Sequence, residues 1–158
     1  MSNYEEALAV MTELFSKDYQ FALATSKNNI PTVRFIDTYF DGKCFYFVTN
    51  EKSQKAKDIR DNPVVALASR KAHMFRGKAH SIGHPLLPQN HILRENLIKV
   101  FNDWYFKHNN ENDENLCCII IEPKTGFFHK DGIGYEIDFE NKVVESFPFN
   151  FTIMLTEE

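Results

Sequence analysis

The chain has 158 residues, enough for one domain with a real hydrophobic core. Hydrophobic residues make up 43% and charged residues 25%, an ordinary balance for a soluble globular chain. A net charge of −4 argues against bulk electrostatic binding to nucleic acid or acidic membranes, and no apolar run approaches transmembrane length. The N-terminus lacks the basic-then-apolar plan of a signal peptide, so a cytoplasmic protein is expected. Three cysteines, Cys44, Cys117 and Cys118, form no CxxC and read as buried free thiols of a reducing compartment.

Ser2-x-x-Glu5 is a capping box that starts a helix at about Asn3 and runs to about Lys17. Tyr4, Leu8, Met11 and Phe15 give it one apolar face, suited to closing one end of a barrel. Phe21 to Thr25 is strand-like, Lys27-Asn28-Asn29 is a polar turn, and Pro31 suits the start of a second strand. Asp41-Gly42 reads as a two-residue turn into a third strand ending at Val48-Thr49. Ser53 caps a short helix over Gln54 to Arg60, which Asn62-Pro63 stops. Val64 to Ser69 and Met74 to Ile82 are the next strands, with Gly77 marking a bend, a bulge or a close approach.

A long helix is expected over Asn90 to Lys107, with Leu93, Leu97, Val100, Phe101, Trp104 and Tyr105 on its apolar face. Leu116 to Ile121 reads as a buried strand. A Pro123 to Gly126 turn leads to a separate strand around Phe127 to His129. Tyr135 to Phe139 and Val143 to Phe147 follow, each after a turn. The apolar tail, Pro148 to Leu155, is expected to pack on its own barrel or on a partner subunit. The run of short, closely spaced antiparallel strands predicts a meander or barrel.

One stretch carries chemistry. Arg34 lies on the second strand, Thr49 ends the third, and Ser53, Gln54 and Lys55 open the short helix. A helix N-terminus offers unpaired N–H groups and a partial positive charge. With a guanidinium, an ammonium and two hydroxyls beside it, it can hold one compact anion, most naturally a phosphate. The alternative is a solvated helix face of Lys52, Lys55 and Lys57, with Arg34 paired to Asp37 or another carboxylate.

The same residues resemble a known family. Arg34-Phe35-Ile36-Asp37, Phe47-Val48-Thr49-Asn50, Ser53-Gln54-Lys55-Ala56 and Asp61-Asn62-Pro63 follow in order and spacing the FMN-binding split β-barrel of the pyridoxamine 5′-phosphate oxidase superfamily. The resemblance spans about Tyr19 to Ile82. It implies a mainly β fold, a split antiparallel β-barrel of six or seven strands with flanking helices, forming a single domain over residues 1–158. It also implies a homodimer with FMN at the interface and redox chemistry on a small-molecule substrate, with neither nucleic acid nor membrane as partner. Arg34, Ser53, Gln54 and Lys55 would surround the FMN phosphate. The backbone of Phe35, Ile36, Asp37, Val48 and Thr49 would line the flavin ring and ribityl chain. The chain departs from the oxidases in having Gln54 for their arginine and Ala72-His73 where they carry a flavin-contacting glutamine. A non-enzymatic flavin-, F420- or haem-binding sensor, carrier or stress protein shares the anion-site pattern.

No catalytic acid or base is assigned, and no metal site is expected. His73, His80, His84 and His91 cluster in sequence but span a strand and a Gly-Pro loop, so they read as surface histidines.

Overall fold

The computed structural model describes residues 1–152. Both bonds of the capping box form: Ser2 Oγ accepts from the Glu5 amide at 3.2 Å, and the Glu5 carboxylate accepts from the Ser2 amide at 3.1 Å. They start α1 (Asn3–Phe15), whose Ala7, Met11 and Phe15 are fully buried. The Phe15 ring lies 4.8–5.9 Å from those of Tyr19, Phe21, Phe45 and Phe75, so α1 seats its apolar face against the aromatic core.

Six strands close the barrel: β1 (Tyr19–Lys27), β2 (Ile30–Phe40), β3 (Phe45–Asn50), β4 (Val64–Ala68), β5 (Met74–Gly83) and β6 (Leu116–Lys130). Their order is β3-β2-β1-β4-β5-β6, and β6 returns to pair with β3. Every pairing is antiparallel. A hairpin, β7 (Ile133–Asp138) and β8 (Val143–Pro148), extends the sheet beyond β6. The expected split barrel with flanking helices is present, with two strands beyond the six that close it.

Three local expectations are corrected. The Asp41-Gly42 turn is a four-residue loop, because Asp41 Oδ1 accepts from both the Lys43 and Cys44 amides at 2.8 Å and sets the strand pairing at Phe40–Phe45. The long helix is broken into α3 (His91–Val100) and α4 (Tyr105–His108), preceded by a 3-10 turn at Pro88–Asn90. Between them residues 101–104 form a turn in which the Trp104 amide donates to the Phe101 carbonyl at 3.0 Å and the Trp104 ring stacks on Phe101 at 4.5 Å. Residues 116–130 form one strand rather than two. Pro123 does not break it, because it lies opposite Gly77 at a bulge where the register of β5 on β6 shifts.

The feature that creates the site is a parting of neighbours. β1 and β2 pair along nine residues, but β2 and β3 pair only at Tyr39–Tyr46 and Phe40–Phe45. Beyond these pairs β3 follows β6, and a cleft opens between residues 35–37 and 47–50. At the C-terminal end, Phe149 and Phe151 pack against Phe127 and His129 of the same chain. The remainder of the expected apolar tail, residues 153–155, lies outside the described residues.

Candidate functional site

The cleft is a cavity of about 790 Å³. Phe35, Ile36 and Asp37 line one wall, Phe47 to Asn50 the other, and Lys55 enters from α2 (Gln54–Asp61). Trp104, His108, Asn109 and Asn110 close it from above. A second cavity of about 570 Å³ over β4 to β7 is more apolar, and no buried unpartnered polar atom among the described residues lines it.

Arg34 is held, but not satisfied. Its Nη1 donates to Thr25 Oγ1 at 2.8 Å and to the Leu23 carbonyl at 3.3 Å. Its Nη2 lies 3.6 Å from Asp58 Oδ2, within Coulombic reach but too long for a hydrogen bond, and this buried nitrogen has no hydrogen-bond partner. Asp58 is only 2% exposed and is already served by the Gln54 amide at 2.7 Å and the Thr25 hydroxyl at 2.8 Å. Those bonds, with the nearby guanidinium, hold its carboxyl below the usual carboxylate range. Arg34 is therefore paired, as the alternative reading allowed, with a carboxylate other than Asp37, namely Asp58. Asp58 orients it while leaving one N–H group free.

Lys55 has no carboxylate within ion-pair distance among the described residues. Burial, and next the positive charge of Arg34, lower its pKa from the ordinary lysine value. Two cations are thus crowded together beside the start of α2. Ser53 caps that helix by accepting from the Ala56 amide at 3.3 Å and shares a hydroxyl–hydroxyl contact with Thr49 at 3.2 Å. The first two helical amides, Gln54 and Lys55, have no partner inside the helix. The group can stabilise a compact dianion: two cations, free amides and a guanidinium with an unused donor.

Of the residues expected at the site, Phe35, Ile36, Asp37, Val48, Thr49 and Lys55 line one cavity, and Arg34 and Ser53 stand beside Lys55. The Gln54 side chain turns away to Asp58. Asp37 meets a residue that the sequence reading did not single out. Its pKa is raised by burial and then by the Asp18 carboxylate, with His108 opposing weakly. Trp104 Nε1 donates to Asp18 Oδ2 at 2.7 Å. Asn109 is 8% exposed, and its Nδ2 has no partner among the described residues. Asp18, His108 and Asn109 carried no sequence signal, because loops and the broken helix bring them to the cleft.

The histidine reading also changes. His73 is not on the surface: it is 2% exposed and stacks on His129 at 4.5 Å. Burial, then the charges of His129 and Lys71, lower its pKa to about 4. The three cysteines are buried free thiols, and burial pushes Cys44 up to about 11 and Cys118 up to about 12. Among the described residues, no helix is long and apolar enough to cross a membrane.

A family model described as pyridoxamine 5′-phosphate oxidase matches residues 8–130. The chain belongs to that family. It is similar in structure to the General Stress Protein 26 of Bacillus anthracis (TM-score 0.61, 21% identity, covering 80% of this chain and 93% of that one). It is also similar to a FAD-binding protein of Mesorhizobium loti (TM-score 0.58, 14% identity, 75% and 91% covered). A third similar structure is an F420 reductase (TM-score 0.54, 21% identity, 72% and 93% covered). At these identities the likeness shows the fold alone. No curated protein matches the sequence.

Proposed function

We propose that this family member binds FMN in the β2–β3 cleft and is an oxidoreductase acting on a small molecule. The observation that carries the reading is the Arg34–Lys55 pair: two crowded cations, one with a buried donor left unused, beside the free amides of α2. Such a set is poorly stable without an anion. A terminal phosphomonoester, as in FMN, saturates it better than the internal diphosphate of FAD or a phosphodiester. Phe35 and Val48, on the outward faces of β2 and β3, offer an aromatic and an aliphatic surface to a flat ring, while Ile36 and Phe47 turn into the core and line the cleft through their backbone. Bound FMN would supply hydride or electron transfer, and this chain would supply anchoring and the ring's surroundings.

Homodimerisation with the cofactor at the interface belongs to the same reading. It is supported by Val33 and Phe35, which are 66% and 61% exposed at the edge of the cleft. A cytoplasmic enzyme acting on a small molecule, with neither nucleic acid nor membrane as partner, is consistent with the net charge of −4.

Titration of the purified protein with FMN, followed by flavin fluorescence, tests the proposal. Saturable quenching is expected, and Arg34→Ala or Lys55→Ala should each weaken it by about 1–3 kcal/mol. Unchanged affinity in both variants would remove the anchor assignment. A Soret band or deazaflavin absorption in the purified protein would favour the haem- or F420-binding alternative. Bound FMN without turnover of NADH or NADPH would favour a carrier or sensor.

A further inference from the structure

Among the described residues Asp58 is the only buried carboxylate, and it lies directly behind the anion anchor. Burying an ionised carboxylate is unfavourable unless partners compensate it. Here the partners form a one-way chain of donors. Arg34 Nη1 donates to Thr25 Oγ1 at 2.8 Å, which leaves the Thr25 hydrogen to go to Asp58 Oδ2, also at 2.8 Å. Gln54 Nε2 donates to Asp58 Oδ1 at 2.7 Å. The hydroxyl and the amide are neutral, so Arg34 is the one cation within ion-pair distance of Asp58 among the described residues. Lys27, the other lysine that Asp58 feels, is drawn to Asp61 at 2.7 Å. The negative charge of Asp58 therefore falls on the same guanidinium that would hold the ligand. The anchor is two cations, Arg34 and Lys55, less one carboxylate, a formal charge of one positive. A phosphomonoester carries close to two negative charges at pH 7, so the anchor neutralises only part of it.

We infer that Asp58 is an internal counter-charge that holds down the phosphate affinity of the cleft, so that a phosphate-bearing ligand such as FMN is exchanged with solution rather than kept as a resident group. This rests on the cleft being the flavin site, and it adds the residue that governs how tightly the phosphate is held. Asp58→Asn isolates the charge from the geometry. The new amide oxygen still accepts from Thr25, and the Gln54 amide can turn to accept from the new N–H. Arg34 keeps its bonds to Thr25 Oγ1 and to the Leu23 carbonyl, so its fork stays in place. Gln54→Lys neutralises the same carboxylate by another route, since an ammonium there replaces the amide that Asp58 Oδ1 now accepts from.

The test titrates FMN, riboflavin (the same ring without the phosphate) and inorganic phosphate into the full chain and into each variant at low salt. Asp58→Asn and Gln54→Lys should each bind FMN about tenfold more tightly than the parent, the scale of one partly screened charge, and riboflavin within about twofold of it. The parent should shed its FMN on gel filtration, and Asp58→Asn should retain more of it. Gln54 is exposed, so its variant keeps the test readable if Asp58→Asn folds poorly. Unchanged or weaker FMN binding in either folded variant, an equal gain for riboflavin, or a parent that keeps its FMN through gel filtration would overturn the inference. Tighter inorganic phosphate in the variants of a protein that never takes up FMN would reject the cofactor reading and keep Asp58 as the counter-charge. FMN uptake with no gain in either variant would do the reverse.

Discussion

The Asp37 carboxyl is half-buried on β2 and faces the Asp18 carboxyl, with the His108 ring as a positive counterpart. Its folded-state pKa is therefore raised above the ordinary 3.8, chiefly by burial and then by Asp18. A raised acid contributes stability below its unfolded pKa and loses it as pH rises through the folded value. At pH 7 the ionised group thus opposes folding. Asp37→Asn should raise the urea midpoint at pH 7, and the gain should shrink toward pH 4. A lowered midpoint at pH 7 would mean that the carboxylate serves the fold rather than a ligand. Arg94 and Glu111 show the contrasting case, where a two-pronged pair holds the carboxyl below its usual range.

At the scale of elements, the β5–β6 bulge organises one side of the barrel. A Cβ on Gly77 would lie 2.3 Å from the Glu122 carbonyl oxygen, so no side chain fits there without moving β6. Gly77→Ala should destabilise the protein by about 3 kcal/mol, the upper end for overpacking, seen as a lower thermal midpoint. A midpoint equal to the parent's would show that β6 can shift freely at Pro123. The same bulge explains part of what the sequence hides. Pro123 and Gly126 look like a turn because local chemistry says so, and the strand that accommodates Pro123 lies far back in the chain. Likewise Leu97, Phe101 and Tyr105 keep helical spacing across the break between α3 and α4, so periodicity does not reveal it. By contrast, the capping box, the Asn62-Pro63 stop and the Arg34–Lys55 pair were legible, because each depends on neighbours within one strand–loop–helix passage. The Asp18–Asp37 meeting was not, because Asp18 reaches the cleft through the path of the loop ahead of β1.

Over the whole molecule, acid sensitivity should follow His73. Its ring lies 5.1 Å from Phe15 of α1 and 4.5 Å from His129 of β6, so it ties the helix to the last strand of the barrel. The folded protein keeps this imidazole neutral down to about 4, whereas the unfolded chain takes up the proton near 6.5. A depressed pKa gives stability that is present above 6.5 and is lost as pH falls toward 4. After allowance for screening, the loss from this group should be about 2 kcal/mol. His73→Phe should flatten the decline of the urea midpoint between pH 7 and pH 4.5. If the variant declines as steeply as the parent, other groups carry the acid response.

The two-pair contact between β2 and β3 has a thermodynamic meaning as well. Along the parted edges the sheet does not complete itself, and the main-chain groups there are left to water or to whatever fills the cleft. Under the proposed function, bound FMN would serve as a missing piece of the wall. Its binding adds to the folding free energy by mass action, about 4 kcal/mol at a thousand times its dissociation constant. The amount of protein that survives heat or proteolysis would then be tied to FMN supply, with the empty barrel the vulnerable form.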